Sequence, residues 1–148
     1  MWIENVSYAD IKGGTYPDPG DNAMLIQIVD PCVDFPIPPR DDFKITAQFE
    51  FSDVDNPDDE VWPFRMSDEQ GKEIARHLRL AMENNMNVIV HCIAGICRSG
   101  AVVEVAKMIG FDGGNAYRQP NVHVKRLLMR EFDDYGLVPN YDEIFKVV

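Results

Sequence analysis

Short apolar runs that alternate with amphipathic stretches constrain this chain more than any other feature. Residues 23–30, AMLIQIVD, form an apolar run that stops at Pro31 and reads as a buried strand. Residues 43–51, FKITAQFEF, alternate: Phe43, Ile45, Ala47, Phe49 and Phe51 share one face, and Lys44, Thr46, Gln48 and Glu50 share the other. That is the period of a half-buried strand. A helix is expected to begin at Ser67, because Gln70 three residues on completes a capping box and Asp68 and Glu69 suit the positive helix end. Ile74, Leu78, Ala81 and Met82 form its apolar stripe, and residues 83–87 end it. Val88, Ile89 and Val90 make a short buried strand. Residues 99–110 read as a helix stopped by Gly110, and 121–132 as a helix capped by Asn121. A last short helix is expected over 140–147 with Asn140 as its cap. Strands alternating with helices imply an α/β fold, a mainly parallel central sheet with helices on both faces.

The remaining stretches are connections. Residues 13–22 are dense in Gly, Pro, Asp and Asn, and 31–40 are rich in proline, so both must loop or extend. Residues 52–60 are an acidic loop directly after the alternating strand, and 111–120 are a further loop. At 148 residues the chain fits one domain, 1–148, with a core large enough to fold alone. No apolar run approaches the roughly 20 residues of a membrane-spanning helix. The first ten residues lack a basic segment followed by an apolar one, so a cytoplasmic address is expected.

Fourteen Lys and Arg against twenty-five Asp and Glu give a net charge of −11. That argues against generic binding to nucleic acid or anionic membrane, both of which need positive surface. A small cationic pocket can still sit in an acidic protein. Three cysteines, Cys32, Cys92 and Cys97, give no disulfide framework, and no Cys/His spacing resembles a zinc site. No metal and no cofactor are therefore expected.

The chemistry concentrates in residues 88–102, VIVHCIAGICRSGAV. His91 and Cys92 fall at the carboxyl end of a strand, where open α/β sheets bind ligands. The loop Ile93, Ala94, Gly95, Ile96 and Cys97 leads to Arg98 at a helix start. Such a loop presents backbone N–H groups and the positive helix end to one point. Gly95 permits the tight path, and the Arg98 guanidinium matches phosphate oxygens. The field that attracts phosphate also favours thiolate over thiol, so Cys92 is expected to be a nucleophile beneath a bound oxyanion.

His91-Cys92-x5-Arg98-Ser99, with Ala94, Gly95 and Gly100, resembles the signature of the cysteine-dependent protein tyrosine phosphatases, including their dual-specificity branch. The likeness extends over residues 23–132: a strand, an acidic loop and a helix precede the Cys strand, and residues 118–129, RQPNVHVKRLLM, look like a segment of the dual-specificity members. The resemblance implies that Cys92 attacks phosphorus and becomes a phosphocysteine. It implies that Arg98 binds the phosphate, that Ser99 donates a hydrogen bond to the leaving thiolate, and that His91 orients the loop and helps keep Cys92 ionised. Asn121 would brace the phosphate loop.

Plainer readings stand beside these: Ser99 as a helix cap, His91 as a core histidine, and Cys97 as a small buried side chain rather than a disulfide partner for Cys92. One carboxyl could serve as general acid and then base. Asp53, two residues after Phe51, is the first choice and Asp55 the alternative. The family's Trp-Pro-Asp order is missing, because Phe64 follows Trp62 and Pro63, so these two are read as packing residues.

The expected substrate is a phosphorylated protein or peptide carrying phosphotyrosine, with phosphoserine and phosphothreonine possible in a shallow site. Binding of phosphate, sulfate or vanadate follows. Alternatives are an RNA 5′-phosphatase served by a basic patch of Arg118, Lys125, Arg126 and Arg130, and a phosphate-binding module without turnover. Rhodanese-like sulfur transfer is a third, disfavoured by Arg98 and Ser99.

Overall fold

The structure, a computed structural model, describes residues 1–135. The short helix expected over 140–147 lies outside the described residues. In chain order the elements are β1 (Trp2–Ser7), α1 (Tyr8–Gly13), β2 (Ala23–Val29), β3 (Ile45–Glu50), α2 (Asp68–Glu83), β4 (Asn87–Cys92), α3 (Arg98–Met108), β5 (Asp112–Gly113) and α4 (Val122–Glu131). The five strands form one sheet in the order β3-β2-β4-β1-β5, and every pairing is parallel. The expected α/β class with helices on both faces is borne out.

The two faces are unequal. α2, α3 and α4 cover one face over the larger core, to which β2 and β4 contribute Met24, Ile26, Ile28, Val88 and Val90. α1 covers the other, where Val6, Ile11, Tyr16, Leu25 and Ile89 make a smaller core. All seven residues of β2 are buried, which is why its sequence runs apolar without alternation. In β3, at the edge, Ala47 and Phe49 are buried and Thr46, Gln48 and Glu50 are exposed. Phe43 departs from the expected face: it precedes the strand and packs on Tyr16 in the smaller core, with ring centroids 5.7 Å apart. Each fully buried aliphatic or aromatic side chain contributes roughly 1.5–3 kcal/mol by leaving water.

The capping box of α2 forms in full. Ser67 Oγ accepts from the Gln70 amide at 3.1 Å, and Gln70 Oε1 accepts from the Ser67 amide at 2.9 Å. Gln70 Nε2 also donates to the Glu50 carbonyl at 2.8 Å, so one side chain fixes the helix start to the end of β3. The acidic loop between them is closed at its neck by a bond from the Ser52 amide to the Phe64 carbonyl, 2.8 Å.

Sequence reasoning passed over β1 and α1. Ser7 and Asp10 form a second capping box, at 3.0 and 3.1 Å, legible as Ser-x-x-Asp. β1 lies beside β4, with Ser7 in register with Cys92. Among the described residues no helix is long and apolar enough to cross a membrane.

Candidate active site

β4 is the central strand, and the pleat sends neighbouring side chains to opposite faces. Cys92, its last residue, points to the larger core and is 2% exposed. His91 turns the other way and meets Tyr8 edge-on, with ring centroids 6.1 Å apart.

The chain then turns through residues 93–97 into α3. Four of the five carbonyls of this loop accept hydrogen bonds. Ile93 O accepts from the Tyr8 amide at 3.0 Å, Gly95 O from Asn5 Nδ2 at 2.7 Å, and Ile96 O from the Gln119 amide at 3.2 Å. Cys97 O accepts from the amides of Ala101 and Asn121 at 3.0 and 2.9 Å. The N–H groups are disposed differently: among the described residues, none from Ile93 to Arg98 donates to a protein acceptor. A run of amide donors in a turned loop that leads into a helix start is an anion nest.

Gly95 makes the turn possible. Its φ is +74°, and a Cβ there would lie 2.4 Å from the Val6 carbonyl carbon and 2.5 Å from its oxygen. The loop therefore rests on the end of β1, an element whose role sequence reasoning missed.

Arg98 is the first residue of α3 and 4% exposed. Its Nη1 donates to Asp30 Oδ1 at 2.9 Å and to the Phe51 carbonyl at 2.7 Å. Its Nε is buried without a partner. The guanidinium is thus gripped at one corner with donors left over, the arrangement suited to binding an oxyanion through a fork. Asp30, at the end of β2, was not among the expected site residues; no local signal in the sequence ties it to an arginine 68 positions away.

Ser99 Oγ lies 3.2 Å from Cys92 Sγ. Ser99 is inside α3 and does not cap it; Cys97 holds the cap position and makes no side-chain cap bond. His91 Nδ1 donates to the Cys92 carbonyl at 3.1 Å. Burial above all, with the Arg98 charge adding to it, pushes the imidazole down to about 4. At neutral pH His91 is therefore uncharged and bears on Cys92 by orienting its backbone, not through a positive charge.

Cys97 is half-buried and free. Burial first, then the carboxylate of Asp53 beside it, push its thiol up to about 11. Asp53 is exposed at the loop rim and its Oδ1 accepts from Asn121 Nδ2 at 2.7 Å. Asp55, expected as the alternative acid, is also exposed and no hydrogen bond ties it to the loop over residues 93–97 among the described residues. Asn121 meets that loop through its own backbone amide rather than its side chain. Trp62 packs as expected, edge-on to His123 with centroids 4.8 Å apart, whereas Pro63 is exposed in the middle of a single turn of tight helix, Trp62–Phe64.

No protein-family model and no curated protein sequence matches the chain. Solved structures do. A human tyrosine phosphatase-like serine/threonine/tyrosine-interacting protein superposes with a TM-score of 0.57 at 19% identity, over 90% of this chain and 92% of that one. A mouse putative dual specificity phosphatase complexed with zinc tungstate gives 0.47 at 15% identity, over 84% and 76%. The chain thus has the fold of the tyrosine phosphatase-like proteins, and the resemblance read from residues 91–99 is borne out at the level of the fold.

Proposed function

We propose that the protein is a cysteine-dependent phosphomonoesterase that acts on phosphotyrosine, and on phosphoserine and phosphothreonine, in proteins. The observation that carries this reading is the polarity of the loop after β4. Four of its five carbonyls accept hydrogen bonds, its amides from Ile93 to Arg98 have no protein acceptor among the described residues, and Cys92 lies at its base.

In the first step the Cys92 thiolate forms an S–P bond as the ester P–O bond breaks, and Asp53 gives a proton to the departing oxygen. In the second, water passes a proton to Asp53 and attacks phosphorus. The S–P bond breaks, and the sulfur leaves as thiolate with the Ser99 hydroxyl donating to it. The amides and the Arg98 fork stabilise the equatorial oxygens in both steps. Ile93 and Ala94 are exposed, which places the loop close to the surface, as short phosphoserine and phosphothreonine side chains require. Three unpaired cysteines fit a reducing compartment such as the cytoplasm, where a thiol nucleophile survives.

The RNA reading has less support. Arg118 pairs with Glu104 at 2.7 Å and Lys125 lies 3.9 Å from the same carboxylate, so one of the four charges of the expected basic patch is offset.

The test is hydrolysis of p-nitrophenyl phosphate from about pH 4.5 to 8 with a chelator present, for the native protein beside Cys92→Ser. Chelator-resistant turnover that the substitution abolishes is the expected result. A folded native protein that binds vanadate without turnover would overturn the reading in favour of a phosphate-binding module.

A further inference from the structure

The anion nest after β4 is bordered by carboxylates. Two loops leave the carboxyl ends of β2 and β3, and both converge on Arg98. Its Nη1 donates to Asp30 Oδ1 at 2.9 Å, at the head of the first loop, and to the Phe51 carbonyl at 2.7 Å, at the head of the second. The first loop also carries Asp34, whose carbonyl accepts from Tyr8 Oη at 2.9 Å, while the Tyr8 amide donates to the Ile93 carbonyl. The second carries Asp53 and Asp55, exposed on either side of the buried Val54. Glu50 joins the two loops, its Oε1 accepting from the Cys32 amide at 3.1 Å. No Lys or Arg occurs in residues 30–39 or 51–64. Among the described residues, Asp30 is the one carboxylate of this group in an ion pair.

We infer that this rim selects phosphopeptides that carry Lys or Arg beside the phosphorylated residue. The inference rests on the reading of the protein as a phosphatase of proteins. The nest calls for an anion: Arg98 is 4% exposed, its Nε is buried without a partner, and the amides from Ile93 to Arg98 have no protein acceptor among the described residues. The rim opposes a bare one, because carboxylates at the mouth of an anion site repel an approaching phosphate dianion and any further negative charge attached to it. A substrate that brings its own cations turns that repulsion into attraction, whereas an acidic peptide or a polynucleotide meets it in full. Asp30 is the innermost of these groups. Its side chain is 43% exposed while it holds Arg98, so its carboxylate is also within reach of a cation from solvent.

The test uses phosphotyrosine peptides of one sequence in which the residues flanking the phosphotyrosine are Lys, Ala or Glu. Their affinities for Cys92→Ser are measured by calorimetry, and kcat/KM is measured for the native protein, at about 50 and 500 mM salt. Both measurements are repeated with Asp34→Asn and Asp55→Asn combined. Both positions are exposed, and asparagine keeps the size of the side chain while removing its charge.

The Lys peptide should bind and react about ten-fold better than the Glu peptide at the lower salt, with the Ala peptide between them, and the span should shrink as salt rises. The combined substitution should reduce the span to about three-fold, since Asp30 remains. Equal affinities across the peptides, a preference for Glu, or a span that the combined substitution leaves intact would overturn the inference. p-Nitrophenyl phosphate, which has no flanking residues, separates the two readings. A native protein that turns over neither it nor the peptides fails as a phosphatase, and the affinities still decide whether the rim selects cations.

Discussion

Arg98 and Asp30 meet at 2.9 Å across the carboxyl end of the sheet, one from the start of α3 and the other from the end of β2. The Arg98 side chain is 5% exposed and the Asp30 side chain 43%, so the arginine is buried while the carboxylate stays wet. The Phe51 carbonyl at 2.7 Å completes the grip on Nη1. In the proposed enzyme Asp30 sets the rotamer that aims the remaining guanidinium donors at phosphate. Asp30→Asn removes the charge but keeps an acceptor. It should lower kcat/KM by about ten-fold, in line with the roughly 1.5–3 kcal/mol of a hydrogen bond to a charged group, part of which Phe51 retains. Steady-state kinetics check this; native kcat/KM would show that Arg98 is held without it.

Gly95→Ala tests the seat of the phosphate loop on β1. A Cβ 2.4 Å from the Val6 carbonyl carbon, at a φ of +74°, meets backbone on one side and strain on the other. The loop must shift, so vanadate binding and turnover should fall together by at least ten-fold, roughly 1.4 kcal/mol or more. Binding measured by calorimetry reads this directly.

His91 predicts an acid-labile fold. The folded chain keeps the imidazole neutral down to about 4, whereas the unfolded chain takes up a proton near 6.5. Between those values the unfolded state binds more protons, so stability falls as pH falls, by at most about 1.4 kcal/mol per pH unit for this one group. His123 is shifted in the same direction, mainly by burial, and adds to the trend. Thermal melts of His91→Gln across this window should show a shallower pH dependence than native melts, by about one proton. Identical slopes would remove His91 from the account.

Asp53 and Asp55 are separated by their contacts. Asp53 meets Asn121 and stands beside Cys97, and Asp55 meets neither. Asp53→Ala should cut kcat by a factor on the order of a hundred to ten thousand on a poor leaving group, the span of general acid–base effects, and Asp55→Ala should leave it within about two-fold. The reverse pattern in steady-state rates would exchange their roles.

The local signals in the sequence were strong where a few adjacent residues decide the outcome. Ser67 and Gln70 announce α2, Asn121 announces α4, and the turn after Cys92 announces an anion nest. β1 was harder to read because Asn5, two residues from the buried Ile3 and on its face, is a polar side chain buried to serve Gly95 and Tyr117. β5 is two residues long and owes its existence to pairing with Trp2 and Ile3. Asp30 was invisible as a site residue because its partner lies far along the chain. Asn121 was legible as a cap and as a brace for the phosphate loop, but its grip on Asp53 depends on how the acid loop folds back over α4.

The central claim is that Cys92 carries the phosphoryl group. The most direct measurement is to mix the protein with a radiolabelled phosphotyrosine peptide, quench in acid within one turnover, and map the label after proteolysis. The account predicts label on the peptide that contains Cys92, present in Asp53→Ala and absent from Cys92→Ser. Hydrolysis with no label on Cys92 at any quench time, or with label on another residue, would contradict it.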